Sequence, residues 1–404
     1  GSSSEVESKA GIMHLLEHMM FRGSAEYPSY QSLAEAFDWL GGEWNASTSN
    51  SYTEFTYSGA ISQASKVIDL FASFVKKPLF LDLEKEKKIV EQEISEDINE
   101  FGNSTDLYYH TWNFFFPKSS LAHPVGGWPE SVQTLQQNDL VAYRQMCYKP
   151  SNMVICITGG TTDQEDHQNF QQMKKNFSDY FVAPASLPSE LRVVEAKKSQ
   201  KGPNCTWVEH SDSQYQLQLS FLTDGQWSKD SSGYQLLSYL FSDGFSSLLF
   251  KELREDKALV YEVDSDYESL EDVGLFVITT TVALENLCLV LQTLLRLISE
   301  FCKHGPTEDD LRRAQVRLSS DLSLLPEDFE ILSDLVSRCV LAKKDFSLEK
   351  KLQDIETVTR ESVQRLAKKT FTPEKSCLVV LGPKDQSKEK KVRQMLFNNT
   401  FVSV

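Results

Sequence analysis

The sequence lacks three features that mark specialised classes of protein. It has no run of about 18 apolar residues, so no segment is predicted to span a membrane. It has no C-x-x-C pair, and the odd number of cysteines, seven, with their apolar neighbours favours buried free thiols over a disulfide framework. It has no basic excess, since 58 acidic residues outnumber 41 basic ones. We therefore expect a soluble protein of a cytoplasmic or organellar reducing compartment, without a nucleic-acid partner.

The length and composition favour a globular protein with more than one core. A chain of 404 residues exceeds what one ordinary hydrophobic core accommodates. The hydrophobic fraction of 40% and the charged fraction of 25% are typical of soluble globular domains. Two domains are therefore the first expectation.

An internal repeat supports this expectation. Residues 148–159 and 371–382 share an aromatic residue, a proline two positions on, a polar pair, and an apolar segment that ends at glycine. The offset between them is about 223 residues. The same offset aligns an amphipathic helix predicted over 63–76 with one over 286–299, and a charged helix over 84–98 with one over 307–321. A helix after a strand recurs in many proteins, but three blocks in one register indicate a duplication.

The repeat predicts an α+β fold with two homologous domains, each a mostly antiparallel sheet packed with helices. We place the first domain at residues 1–185 and the second at 201–404. The linker between them is 186–200, and the stretch that marks it, 182–190, holds Pro184, Pro188 and small polar residues.

The most informative pattern for function is His-Leu-Leu-Glu-His at residues 14–18. His14 and His18 are four residues apart, so in a helix both imidazoles lie on one face and can reach one ion. Glu17 projects toward the same face, where a carboxylate can accept a proton from water without being a ligand. H-x-x-E-H is the inverzincin signature, although so short a pattern also occurs by chance.

Only the first domain carries this pattern. At the repeat offset, Leu237, Leu240 and Phe241 replace the two histidines and the glutamate. Two histidines are too few for a catalytic zinc, which generally takes three protein ligands.

The third ligand is expected in the acidic segment 83–101. Glu86 and Glu93 are seven residues apart and share a helical face with Ile89 and Val90, which favours an inward orientation. A solvated charged face is the plainer explanation for the other acids of the segment, among them Glu84, Glu91 and Glu100.

At this point the sequence resembles a known family, the pitrilysin, insulinase and mitochondrial-processing-peptidase family of zinc metallopeptidases, in its two-domain subclass. The resemblance covers nearly the whole chain. The segments that carry it are GIMHLLEHMMFRG at 11–23, GGEWNAST at 41–48, HPVGGWPE at 123–130, the predicted strand NMVICITG at 152–159, and FKELREDKALVY at 250–261, together with Glu86 and Glu93.

The resemblance implies a role for each matching residue around the metal. His14, His18 and Glu93 would bind one zinc ion per chain, and Glu17 would be the general base. Glu86 would orient one of the ligands.

It also implies residues that bind the substrate. Asn45 and Ala46 match an edge strand that pairs with the substrate backbone. Arg254 and Tyr261 match a pair that contacts the substrate and stabilises its oxyanion. Family members usually carry further strands ahead of the segment that matches residue 1, so we expect the first domain to lack part of its sheet.

We therefore predict a zinc-dependent endopeptidase that hydrolyses peptides or unfolded polypeptide segments in a closed clamshell chamber. The alternative is a structural or assembly subunit of the same fold without catalysis. In relatives built as four such domains, the pair that completes a site comes from the half opposite the zinc. Because this chain has two domains and carries both motifs, the resemblance implies a two-fold homodimer in which Arg254 and Tyr261 of one subunit face the zinc of the other. A heterodimer with a related subunit is the other arrangement.

Overall fold

The structure, a computed structural model, describes residues 1–160, 162–177 and 202–398. The described part of the first half is mainly helical, with one pair of strands after the second helix. The elements are α1 (Ile12–Met20), α2 (Tyr30–Asp38), β1 (Glu43–Thr48), β2 (Thr53–Ser58), α3 (Ala64–Lys76), α4 (Leu83–Glu96), α5 (Leu107–Phe115), α6 (Pro129–Thr134), α7 (Gln137–Cys147) and α8 (Asp163–Phe177).

The second half has longer strands. Its elements are β3 (Asn204–Glu209), β4 (Gln214–Asp224), α9 (Ser231–Phe241), β5 (Val260–Ser269), β6 (Val273–Ala283), α10 (Leu287–His304), α11 (Glu308–Leu324), α12 (Phe329–Leu341), α13 (Leu348–Glu356), α14 (Arg360–Thr370), β7 (Ser376–Gly382) and α15 (Gln386–Asn398). The helices predicted from the repeat are confirmed as α3 with α10, and α4 with α11.

The chain forms two compact units. The first contains Gly1–Glu96, the described part of Lys118–Ala196, and Glu327–Phe346. The second contains Asp97–Pro117 and the described parts of Lys197–Pro326 and Ser347–Val404. The predicted limits at 185 and 201, and the linker between them, lie outside the described residues.

The second unit contains a five-stranded sheet in the order β3-β7-β4-β6-β5. Only β3 and β7 run parallel, and the other neighbours are antiparallel. Every residue of β7 is buried, because strands flank it on both edges and helices cover the sheet. The predicted α+β fold with a mostly antiparallel sheet is confirmed here.

The described sheet of the first unit has two strands, β1 and β2, which pair antiparallel. The prediction of a strand over residues 152–159 is wrong. This segment is extended at Met153 but forms no strand in the structure. A strand requires a backbone partner, and none of the described strands pairs with this segment. Its counterpart β7 is paired by β3 and β4 in the second unit.

Two helices at equivalent positions of the repeat each belong to the compact unit formed mainly by the other half of the sequence. Helix α5 belongs to the second unit, where Gln218 of β4 donates to the Thr111 hydroxyl at 2.9 Å. Helix α12 lies at about the repeat offset from α5 and belongs to the first unit, where the Thr158 hydroxyl donates to the Phe329 carbonyl at 2.8 Å. The predicted domains therefore describe halves of the sequence, whereas each compact unit takes one helix from the other half.

The state of the cysteines agrees with the buried free thiols that the sequence predicts. All seven are free, and five of them are buried. Among the described residues, no helix is long and apolar enough to cross a membrane. The compartment stays a prediction.

Helix α1 lies in the core of the first unit. Ile12, Leu15, Leu16 and Met19 are all fully buried, so the helix is held by burial along most of its circumference. It starts after Gly11, whose φ of 87° lies in the left-handed region that glycine adopts without strain.

A buried carboxylate caps this helix. The side chain of Glu5 accepts the backbone N–H of Gly11 at 2.9 Å and that of Met13 at 2.8 Å. These donors stand at the helix start, where amides lack partners within the helix. Glu5 therefore satisfies two amides within the three residues that precede the first histidine, and only 5% of its surface is exposed.

This cap predicts a pH-dependent stability. Burial raises the pKa of Glu5 from 4.5 to about 7, against the lowering effect of its hydrogen bonds to Met13 and Gly11. Between these values the folded chain binds more protons than the unfolded chain, so this group's contribution to the free energy of unfolding falls as pH rises. Relative to Glu5→Gln, wild-type stability should fall by about 3 kcal/mol from pH 4.5 to 7.5.

Urea unfolding at a series of pH values measures this difference. Glu7→Gln, which removes an exposed carboxylate two residues away, is the matched control and should parallel the wild type. A difference between wild type and Glu5→Gln that does not change with pH would contradict the prediction.

Candidate metal centre

Helix α1 brings the two histidines together as their spacing predicts. The Nε2 atoms of His14 and His18 are 3.2 Å apart, and the two rings stand nearly perpendicular with centroids 4.7 Å apart. Two nitrogens at this distance, both partly exposed, face the same point.

Helix α4 supplies the third group. The Oε2 atom of Glu93 lies 3.7 Å from His14 Nε2 and 3.4 Å from His18 Nε2. In a tetrahedral site with ligand bonds of about 2.0 Å, the ligand atoms stand about 3.3 Å apart. The three measured separations match this geometry. Among the described residues, these three form the one group of histidine, cysteine and acidic side chains arranged to hold a metal ion.

The electrostatics of the site favour a bound cation. Burial, together with the smaller effect of the neighbouring charge of His18, lowers the pKa of His14 from 6.5 to about 4. His14 is therefore neutral at physiological pH, which is the form that binds a metal. Two imidazoles and one carboxylate, with a tetrahedral position left over, are the chemistry of a catalytic zinc site, so the residues fit the ion that the sequence predicts.

The second ring nitrogen of His18, Nδ1, contacts Glu86, which is buried and paired with the buried Arg22. His18 Nδ1 lies 3.0 Å from Glu86 Oε1, and the second oxygen of Glu86 forms an ion pair with Arg22. The Arg22 guanidinium also lies 4.9 Å from the centre of the Tyr30 ring. Glu86 thus fixes the orientation of His18, and Arg22 in turn holds Glu86. The sequence predicted Glu86 and missed Arg22, although Arg22 follows His18 by four residues.

His14 is held by packing instead. Its Nδ1 is buried and makes no hydrogen bond in the structure. The turn at Gly126 and Gly127 packs against it: a Cβ on Gly126 would lie 3.6 Å from Nδ1, and one on Gly127 would lie 2.4 Å from the Ala10 carbonyl oxygen. The two glycines therefore let the loop at 123–130 approach the metal helix closely.

Glu17 stands apart from the three candidate ligands. Its side chain is buried, and its Oε2 accepts a hydrogen bond of 2.6 Å from the Thr48 hydroxyl. Burial raises the pKa of Glu17, whereas the bond from Thr48 lowers it. A buried carboxylate beside the ligands, but not among them, suits a general base.

The predicted substrate residues fall in two places. Asn45 and Ala46 lie on β1, which is confirmed as a strand, and the Asn45 side chain accepts the N–H of Ala46 at 2.9 Å. Arg254 and Tyr261 lie in the second unit, where the Arg254 guanidinium is 5.0 Å from the centre of the Tyr261 ring. Tyr261 is 81% exposed. The roles of all four residues in binding substrate stay predictions.

Two models of known protein families match this chain. Residues 1–112 match the model of insulinase, peptidase family M16, and residues 134–318 match the model of the peptidase M16 inactive domain. The chain therefore belongs to the M16 family of peptidases. The inactive-domain match includes Leu237, Leu240 and Phe241, which stand in place of the zinc motif.

Individual relatives of this chain are described as zinc proteases. A zinc protease of Bacillus subtilis described as uncharacterized, YmxG, is 26% identical over 95% of this chain and 91% of its own length. A protein of Rickettsia bellii with the same description is 26% identical over 96% of this chain and 91% of its own length.

Solved structures share the fold. A protease from Helicobacter pylori superposes with a TM-score of 0.84 at 21% identity, over 95% of this chain and 91% of that protein. A peptidase M16 inactive domain from Pseudomonas fluorescens gives a TM-score of 0.79, also at 21% identity, with the same coverage of both chains. The two-domain fold predicted from the repeat and the family implied by the resemblance are both confirmed.

The support of His18 predicts an effect on metal affinity. Glu86→Ala removes the acceptor of His18 Nδ1, so zinc affinity should fall about 10- to 100-fold. Competition with a chromophoric chelator measures it. Glu96→Ala, at an exposed position of the same helix, is the control and should keep wild-type affinity. An unchanged affinity in folded Glu86→Ala would show that Glu86 does not orient the ligand.

Proposed function

We propose that this chain is a zinc-dependent endopeptidase that hydrolyses peptides or unfolded polypeptide segments. The observation that supports this proposal most is that, in the first unit, the candidate metal ligands and the candidate general base are different side chains. Three side chains form a ligand set of tetrahedral spacing, and a fourth, Glu17, lies buried beside them with its own hydrogen-bond donor.

Each residue has a task in this proposal. His14, His18 and Glu93 hold zinc, which when bound activates water and polarises the scissile carbonyl. Glu17 accepts the proton of the attacking water on a carboxylate oxygen and then donates it to the leaving amine. In relatives that the sequence resembles, the tyrosine equivalent to Tyr261 helps to stabilise the oxyanion, and we assign it that task here.

The substrate is proposed to bind along β1. Asn45 is exposed on β1, and its side chain accepts a hydrogen bond from the adjacent Ala46 N–H at 2.9 Å. An extended peptide can pair with this strand through its backbone, which implies loose sequence preference and a need for unfolded substrate.

The alternative is a structural or assembly subunit that has the same fold but no catalytic activity. The family model described as inactive covers the part of the chain that lacks the motif, whereas the first unit keeps all three ligands and the base. Because the described residues of the first unit keep this whole set together, the enzyme is the better proposal.

Two substitutions separate metal binding from hydrolysis. Glu93→Gln should lose most of the zinc, because a neutral amide is a poor ligand for it. Glu17→Gln should keep the zinc and lose hydrolysis, with a fall of about 100-fold or more, because it removes the base. Zinc content and cleavage of a fluorogenic peptide measure the two effects, with Glu96→Gln as the control on α4.

The proposal fails if Glu17→Gln keeps wild-type turnover. It also fails if the zinc-loaded wild type cleaves no member of a diverse library of unfolded peptides.

We further propose a two-fold homodimer, in which Arg254 and Tyr261 of one subunit serve the zinc set of the other. Chains with Glu17→Gln and with Tyr261→Phe should each be nearly inactive. After subunit exchange, half of the dimers are mixed and each holds one intact site, so activity should recover to about a quarter of the wild-type value.

Light scattering establishes the dimer, and a fluorescence label on each chain establishes exchange. Exchange without recovery of activity would contradict shared sites. A requirement for a related second subunit would instead appear as a homogeneous chain that gains activity only with that partner.

A further inference from the structure

Thr48 donates a short hydrogen bond to Glu17, the proposed base. It is the last residue of β1, and its Oγ1 lies 2.6 Å from Glu17 Oε2. A second hydroxyl, that of Thr53 at the start of β2, lies 3.1 Å from Thr48 Oγ1. The three side chains form a chain that runs from the β1–β2 hairpin to the metal helix.

The direction of these hydrogen bonds follows from the number of protons. An ionised Glu17 can only accept, so the single hydroxyl proton of Thr48 is committed to it. Thr53 must therefore donate its proton to Thr48. Each donation polarises the next hydroxyl and strengthens the bond to the carboxylate.

A general base needs such a constraint. The terminal torsion of a glutamate is broad and roughly two-fold, so a carboxylate is not fixed by rotamer preference alone. A bond to one oxygen fixes the plane of the carboxylate and leaves the other oxygen for the reacting proton.

We propose that Thr48 is a positioning residue, which holds one oxygen of Glu17 so that the other is aimed at the attacking water. This inference rests on the proposed function, because it assigns Thr48 to the same site. It adds a connection that the motif does not contain: the strand proposed to pair with substrate through Asn45 and Ala46 ends in the residue that orients the base.

A purely structural role is the competing explanation, since the same bond also ties β1 to α1. The two roles predict different results. A tether that only supports the fold would, when lost, lower the stability and the zinc content together. A positioning residue would, when lost, lower kcat while KM and zinc content stay near their wild-type values.

The test uses two substitutions at one position. Thr48→Val keeps the shape and removes the hydroxyl, and we expect kcat to fall about 10- to 100-fold, as for loss of a hydrogen bond to a charged group. KM should change less than about threefold. Thr48→Ser restores the hydroxyl and should recover kcat to within about threefold of the wild type, because the donor is present again.

The control is Thr281→Val, a matched change at an exposed position of β6 in the second unit, which should leave both constants unchanged. Zinc content and thermal unfolding are measured for every variant. A Thr48→Val chain with wild-type kcat overturns the inference. So does a loss of kcat that Thr48→Ser fails to rescue, or one that zinc loss accounts for.

These outcomes are separate from failure of the proposed function. A zinc-loaded wild type without activity overturns both statements. An active wild type with an inactive Glu17→Gln and a fully active Thr48→Val overturns only the role of Thr48.

Discussion

The packing of α1 against α4 is the constraint on which the site depends. Neither helix holds a metal ion alone, because α1 offers two nitrogens and α4 one carboxylate. Their relative position is fixed by the contact of Glu86 with His18 and by the ion pair of Glu86 with Arg22. Removing one partner of such a buried pair leaves an uncompensated charge, so the helices are held in one arrangement. Glu93 is two turns along α4 from Glu86, which places its carboxylate opposite both imidazoles.

Much of the site could be predicted from the sequence because it is local. Helical periodicity alone places His14 beside His18, and Glu86 on the same face as Glu93. In the structure His14 lies beside His18, the carboxylates of Glu86 and Glu93 both lie near His18, and Glu17 is outside the group of three candidate ligands. The two-domain fold was also predictable, because a duplicated sequence repeats its pattern of helices and strands at a fixed offset. The choice of Glu93 among seven acids of one segment required the resemblance to a family.

What the sequence did not predict depends on contacts between distant residues. Residues 152–159 have the composition of a buried strand, but strand formation depends on a pairing partner that composition does not encode. The exchange of α5 and α12 between the units is invisible to a contiguous division of the chain. Thr48 and Glu5 belong to neither helix of the metal set, yet Thr48 donates a hydrogen bond to Glu17 of α1, and Glu5 accepts one from Met13 of α1. Threonine in a strand and glutamate in a loop are ordinary residues, so no local signal marks them.

The central claim is that two imidazoles and one carboxylate of the first unit form a zinc site with room for a further ligand. X-ray absorption at the zinc edge, on protein loaded with one equivalent, tests it directly. We predict four nitrogen and oxygen neighbours at about 2.0 Å, with the multiple scattering of two histidine rings. A sulfur shell at about 2.3 Å, or the absence of histidine scattering, would contradict the claim.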